Sequence, residues 1–215
     1  MIRVVIADDH TIVRDGLKQI LADPEFSIVG EARDGQEVMQ RVRELDFDVL
    51  LLDLSMPKKS GIDLIKHVKQ ERPKLRVLVL SMHEEQQYAI RAIRAGAAGY
   101  MTKESASAQL ISAIRRVAAG GAFISAAVAE KLALDAMPHA EHLPHTSLSD
   151  REYQVFDLLV SGKTVSEIAE QISLSVKTIS THKARLLEKM GMTNHTDLIR
   201  YAIAHRLIDA SNASD

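Results

Sequence analysis

The chain has 215 residues, 46% hydrophobic and 26% charged, with a formal net charge of −2 and no cysteine. That balance suits one or two soluble globular domains. Total charge does not announce nucleic acid, and the lack of Cys excludes a disulfide framework and a thiolate zinc site. No uncharged apolar run approaches the ~18 residues of a membrane span. Met1-Ile2-Arg3-Val4-Val5-Ile6 runs straight into Ala7-Asp8-Asp9, too soon acidic for a signal peptide. The expectation is a cytoplasmic protein with no membrane partner.

Up to about residue 120, apolar runs alternate with amphipathic segments. Ile2 to Ala7 reads as a buried strand. Thr11 to Leu21 carries Ile12, Val13, Leu17, Ile20 and Leu21 at helical spacing. Phe26 to Glu31 is a second strand and Gln36 to Leu45 a helix with Val38, Val42 and Leu45 inward. Val49 to Asp53 is a third strand, followed by Pro57, Gly61 and a helix from Ile62 to Gln70. Leu75 to Leu80, Glu84 to Ala95, Gly99 to Met101 and Ala106 to Ala118 continue the strand–helix rhythm. Five βα pairs argue a doubly wound parallel sheet, with right-handed crossovers placing helices on both faces. Strands covered on both faces are solidly apolar, as these are.

In such a sheet ligands bind beyond the carboxyl ends of the strands. The first strand ends at Asp8-Asp9, the third at Asp53 and the fourth at Ser81; the fifth leads through Tyr100 to Lys103. Asp53 alone reads first as a loop-capping residue. Three clustered carboxylates, however, repel one another unless a cation sits among them. A hard divalent ion with oxygen ligands, Mg²⁺ above all, answers that. Asp beside Mg²⁺, with Lys and a hydroxyl near, suits carboxylate attack on a phosphoryl group. The competing reading is a structural acidic cluster with a Lys counter-ion.

Asp8-Asp9, Asp53 with Met56-Pro57, Ser81 and Gly99-Tyr100-Met101-Thr102-Lys103 resemble the receiver domain of two-component response regulators. The resemblance implies a flavodoxin-like fold in which Asp53 accepts phosphoryl from a sensor histidine kinase. It implies that Asp9 ligates Mg²⁺ directly, Asp8 assists through water, and Asp53 and the carbonyl of Ser55 complete the set. Lys103 would pair with the phosphoryl, Ser81 would move to hydrogen-bond it, and the rotamer of Tyr100 would follow. Many receivers have Pro after this Lys, often cis; Glu104 stands here, and a cis bond before a non-proline is too costly to assume. His83, two residues past Ser81, is read either as tuning phosphoryl lifetime or as a solvent-facing helix start.

Ser125 to Ala136 reads as a further helix. Met137 to Thr146, with two Pro and three His, has linker composition. His139, His142 and His145 invite a metal reading, but the segment is not helical enough to put them on one face.

The second half is a run of helices. Ser149 caps the first and Glu152 completes a capping box; Val155, Leu158 and Leu159 line it until Ser161-Gly162. Val165 to Ile172 is a short second helix. Ser175 caps a third, Val176 to Met190, ended by Gly191, and a fourth runs from about Thr196 to His205 with Leu198, Ile199, Ala202 and Ile203 inward. A short turn between the second and third makes a helix-turn-helix. Residues 148–206 hold 8 Lys+Arg against 7 Asp+Glu, so the basic signal is local to the third helix. There Val176, Ile179, Leu186, Leu187 and Met190 form the expected buried stripe. The opposite face centres on Lys177, Thr181, Ala184, Arg185 and Glu188, flanked by Thr178 and Ser180, and suits a major groove. Lys183 falls nearer the buried side.

Leu148-Ser149-Asp150-Arg151-Glu152, Gly162 to Ala169, Ser175 to His182 and Lys189-Met190-Gly191 resemble the LuxR-type helix-turn-helix of the NarL/FixJ group. This implies that Ser180, Thr181 and Ala184 face bases, with Lys177, His182 and Arg185 nearer the phosphates. Many members carry basic residues where Ser180 and Ala184 stand, which leaves the operator sequence open. The last helix resembles the family's dimerising element, implying a homodimer on paired half-sites. The expected layout is a receiver over 1–121, a linker helix and flexible connector over 122–147, an all-α four-helix DNA-binding domain over 148–208 and a tail over 209–215. The expected function is a phosphorylation-dependent DNA-binding transcription regulator. Rival readings are a DNA binder whose receiver acts without phosphorylation and a Mg²⁺-dependent phosphotransfer enzyme.

Overall fold

The computed structural model describes residues 1–56, 61–81, 86–135, 143–205 and 207. The chain divides into two compact units, Met1–Met137 and Pro138–Asp215.

In the first unit, β1 (Ile2–Ala7), β2 (Phe26–Ala32), β3 (Val49–Asp53), β4 (Arg76–Ser81) and β5 (Gly99–Thr102) pair in the order β2-β1-β3-β4-β5. Every neighbouring pair is parallel. The connections carry α1 (Thr11–Ile20), α2 (Gly35–Glu44), α3 (Ile62–Glu71), α4 (Gln86–Arg94) and α5 (Lys103–Ala118). This is the expected doubly wound sheet. The strands look uniformly apolar because their two-residue period serves two cores at once. Val5, Ala7, Leu50, Leu52, Val77 and Val79 face α2, α3 and α4. Val4, Ile6, Val49, Leu51, Leu78 and Leu80 face α1 and α5. Each fully buried Leu or Val side chain stabilises the fold by roughly 1.5–3 kcal/mol. Strand order reverses between β1 and β3, so the crevice of the sheet opens beyond Ala7 and Asp53.

Two local details shift the expected boundaries. Helix α5 starts at Lys103, a turn earlier than the apolar period indicates, because Thr102 caps it by accepting from the Ser105 amide at 3.2 Å. In α1 the inward residues are Arg14 and Leu17, while Ile12 is 87% exposed. Ile12 lies five positions from Leu17, about 140° around the helix, and so misses the core. Arg14 is tolerated inside because it is satisfied. It donates to the Asp8 carbonyl at 2.8 Å, to Glu31 at 2.9 Å and to the Thr11 hydroxyl at 3.3 Å.

The linker helix, α6 (Ala126–Asp135), packs on α4 and belongs to the first unit. Val128 is buried in the same core as Ala89 and Ile90. Ahead of it, Phe123 forms a parallel bridge with Gly99: its amide donates to Ala98 at 3.0 Å and its carbonyl accepts from Tyr100 at 2.9 Å.

The second unit holds a 3₁₀ turn (Pro144–Ser147), α7 (Asp150–Val160), α8 (Val165–Gln171), α9 (Val176–Met190) and α10 (His195–Ala204). The Pro/His-rich stretch thus ends earlier than its composition suggests. His145 is 1% exposed, with Nδ1 2.7 Å from the Tyr201 hydroxyl of α10, so it is a core residue and not part of a flexible connector. His139 and His142 lie outside the described residues. Capping boxes open α7 (Ser149, Glu152) and α8 (Thr164, Glu167); Ser175 caps α9, which Gly191 ends in the left-handed region. Ile179, Leu186 and Met190 are buried, whereas Val176 is 50% exposed. As the first helical residue, Val176 stands at the helix end and not along the stripe. Ile203, also expected inward, is 55% exposed; five positions from Leu198, it meets the same 140° offset as Ile12. Among the described residues no helix is long and apolar enough to cross a membrane.

Candidate functional site

Parallel pairing brings the ends of β1 and β3 side by side, with Ala7 opposite Leu52. Asp8 and Asp53 therefore emerge together, and both are 1% exposed. Lys103, first residue of α5, spans them: Nζ lies 2.7 Å from Asp8 Oδ2 and 2.9 Å from Asp53 Oδ2. The other oxygens are held by backbone. Asp53 Oδ1 accepts from the Ser55 amide at 3.0 Å and Asp8 Oδ1 from the His10 amide at 2.8 Å. Asp9 is partly exposed beside them, and His10 Nδ1 lies 2.9 Å from Asp9 Oδ1 and 3.4 Å from Asp8 Oδ1. Asp8, Asp9, His10 and Asp53 each offer one ligand atom, all within 4.8 Å of one another.

The electrostatics follow from two buried acids sharing one ammonium. Burial pushes the Asp53 carboxyl up, and the like charge of Asp8 adds to it; the bond to Lys103, its charge and the Ser55 amide pull the other way without cancelling the rise. For Lys103, burial works to lower the pKa, but bonds to Asp8 and Asp53 outweigh it and hold the ammonium charged. One cation against three carboxylates leaves net negative charge. Asp9 Oδ1 is a buried atom with no hydrogen-bond donor among the described residues, whereas Asp8 Oδ2 meets the Lys103 ammonium. An acidic oxygen set with an unsatisfied buried atom fits a hard divalent cation such as Mg²⁺.

Ser81 ends β4 fully buried, in register with Thr102, at the same edge of the sheet. Tyr100 is buried on the face covered by α4 and α6. Ser55 reaches Asp53 through its amide. His83 and Pro57 lie outside the described residues. Sequence reasoning missed His10 and Arg14. A lone His after an acid pair carries no periodic signal, and Arg14, though three positions from Leu17 on the same face, is charged and so is not counted in an apolar period.

On α9, Lys177, Ser180, Thr181, Ala184 and Arg185 are exposed together with Glu188, while Thr178 and Lys183 are half-buried. Small and basic side chains thus share one outward face. His182 is half-buried, and its Nδ1 finds no hydrogen-bond partner among the described residues. Burial, followed by the charge of Arg151, lowers its pKa, so the ring is neutral at neutral pH.

A doubly wound sheet carrying an acidic, lysine-bridged strand edge, joined to a helix-turn-helix, defines a receiver coupled to a DNA-binding module. Family comparison agrees on both halves. Residues 4–115 match the response regulator receiver domain, and residues 146–202 match the luxR family of bacterial regulatory proteins. The response regulator GacA of Pseudomonas viridiflava is 37% identical over 213 residues, 98% of this chain and 100% of GacA. A structure of the response regulator RcsB from Salmonella typhimurium is 31% identical and covers 94% of this chain and 97% of its own, with a TM-score of 0.71. RcsB from Salmonella enterica serovar Typhimurium, bound to promoter rprA in the presence of phosphomimetic BeF₃⁻, is 32% identical with a TM-score of 0.66; the match spans 95% of this chain and all of RcsB. The chain belongs to the NarL/FixJ family of response regulators, with a receiver and a LuxR-type DNA-binding domain.

Proposed function

We propose that this regulator is switched by phosphorylation of Asp53 and, once switched, binds paired DNA half-sites as a homodimer. The observation that carries this reading is the buried Asp53 carboxylate, 2.9 Å from Lys103 and within 4.8 Å of ligand atoms on Asp8 and Asp9. In the reaction, an Asp53 oxygen forms a bond to phosphorus as the bond from phosphorus to the phosphohistidine nitrogen of a sensor kinase breaks. Lys103, already held charged, meets the new negative oxygens. Asp8, Asp9, Asp53 and the carbonyl of Ser55 would hold Mg²⁺, which supplies positive charge for the phosphoryl oxygens. Ser81, at the end of the adjacent strand, turns to donate to the phosphoryl group, and Tyr100 follows it. The receiver catalyses only its own phosphoryl transfer and hydrolysis, with His83 tuning the latter.

On DNA, Ser180, Thr181 and Ala184 face base edges. Lys177 and Arg185 approach phosphates with Thr178, and the neutral His182 contributes contact without charge. Exposed Ile203 places an apolar side chain on α10, the element that resembles the family's dimer contact. A dimer spaces two recognition helices about one turn of DNA apart. The domain layout is a phosphoacceptor unit, a connector between α6 and the 3₁₀ turn, and a DNA-binding unit, acting in the cytoplasm.

The test is a gel shift with and without a small phosphoryl donor and Mg²⁺, for wild type and Asp53→Ala. Donor-enhanced binding that disappears in Asp53→Ala is the expected result. Equal binding in all lanes overturns the switch and leaves a DNA binder that acts without phosphorylation.

A further inference from the structure

We infer that His10 is a ligating side chain of the acidic site. It gives that site a preference for divalent ions that accept an imidazole nitrogen, such as Mn²⁺, Co²⁺ and Ni²⁺, beyond what carboxylates alone provide. The inference rests on the reading of Asp8, Asp9 and Asp53 as a cation site.

Three observations point to it. First, the spacing is that of neighbouring ligands. Two atoms each ~2.1 Å from an octahedral ion stand ~3.0 Å apart when adjacent and ~4.2 Å when opposite; around a tetrahedral ion they stand ~3.4 Å apart. His10 Nδ1 is 2.9 Å from Asp9 Oδ1 and 3.4 Å from Asp8 Oδ1, both in the range of adjacent ligands.

Second, a hydrogen bond does not account for the 2.9 Å approach. Asp9 Oδ1 is buried and accepts no hydrogen bond, so the ring nitrogen beside it is not aligned to donate. Nitrogen and oxygen stand side by side, as two ligands of one ion do.

Third, His10 occupies the N-cap position of α1, where Ser, Thr, Asp or Asn would normally satisfy a helix amide, yet its side chain makes no capping bond. Its backbone is fixed by donation to Asp8 Oδ1, which leaves the imidazole, 66% exposed, beside the two carboxylates. Oxygen-only sites suit Mg²⁺, whereas an added imidazole favours later first-row ions along the Mn²⁺, Co²⁺, Ni²⁺ order.

The experiment is calorimetric titration of the full chain with Mg²⁺, Mn²⁺ or Ni²⁺ alone, for wild type, His10→Ala and Asp9→Asn, with no phosphoryl donor. Nitrogen coupling to bound Mn²⁺ is read in parallel by pulsed electron paramagnetic resonance. His10→Ala is expected to weaken Ni²⁺ about tenfold or more, to leave Mg²⁺ within about twofold, and to remove the imidazole nitrogen coupling. Asp9→Asn is expected to weaken all three ions. If His10→Ala changes Mg²⁺ and Ni²⁺ alike, or the coupling persists, the inference is wrong while the cation site stands. If Asp9→Asn alters none of the three, the cation site itself fails, and the inference with it.

Discussion

Glu152→Gln tests how the DNA-binding unit holds its recognition helix. One oxygen, Glu152 Oε2, accepts from the Ser149 amide at 2.8 Å, the Ser149 hydroxyl at 2.9 Å and Lys189 Nζ at 2.7 Å. It thereby caps α7 and ties it to the last turn of α9. Gln keeps the shape and an acceptor oxygen but removes the charge. Charge-assisted bonds are worth about 1.5–3 kcal/mol against about 1 for neutral ones. The Lys189 bond is discounted to at most about 1 kcal/mol because that side chain is 43% exposed. Relief of carboxylate desolvation offsets part of the loss, so the expected net cost is about 1–2 kcal/mol at pH 7. The pH dependence has a definite sign. Burial works to raise the Glu152 pKa, but Lys189 and then Ser149 outweigh it, and the folded value is lowered. A lowered carboxyl contributes stability above its unfolded value, about 4.3, and loses it as pH falls through the folded value. The gap between wild type and Glu152→Gln is therefore full at pH 7 and closes in strong acid, where protonated Glu resembles Gln. Hydrogen exchange in peptides spanning α7, followed under urea at several pH values, measures it. No gap at pH 7, or one that does not narrow as pH falls below the unfolded value of about 4.3, refutes the reasoning.

Three further outcomes are expected. A Cβ at Gly99 would meet Leu78 Cδ1 at 2.8 Å and the Phe123 carbonyl at 2.9 Å. Gly99→Ala should therefore cost about 1–3 kcal/mol by overpacking and raise amide exchange at Tyr100 and Phe123; unchanged exchange at both speaks against the bridge. Lys103→Ala leaves Asp8 and Asp53 buried without their shared cation. Thermal melts should show a loss of about 3–5 kcal/mol in a chelator and a much smaller one in Mg²⁺; equal losses would argue against a cation site. On DNA, Lys177→Ala and Arg185→Ala should each flatten the slope of log K against log salt by about 0.9. His182→Gln should leave that slope unchanged at pH 7.5, since the ring is already neutral; a reduced slope would show a charged contact there.

The sheet was legible because each strand is a short apolar run ended by a polar residue, and those end residues lie at one edge of any parallel sheet. The exposed face of α9 followed from helical spacing, and Gly191 from its need for a left-handed backbone. Other features had no local signal. Helix α6 has four Ala among its ten residues and no sharp apolar stripe, and it follows Gly120-Gly121, so its docking on α4 depends on tertiary fit at Val128. His145 sat in a stretch whose composition resembles a linker, and partners on α10 and just beyond, Tyr201 and His205, make it core. Ile12 and Ile203 are apolar residues on outward faces, which periodicity counts as core unless the offset is measured. Lys103 was placed at the site by order along the chain, but its bridging of Asp8 and Asp53 came from the cap at Thr102.

Phe123 has one more consequence. Strand β5 is one of the two outer strands of the sheet and only four residues long. Outer strands offer unpaired amides and carbonyls to any other chain, the common route to aggregation. The Phe123 bridge occupies the Ala98 carbonyl and the Tyr100 amide, so the segment between α5 and α6 also covers this edge of the sheet. Any event that lifts it exposes a sticky edge, which ties the seating of α6 to the solubility of the first unit.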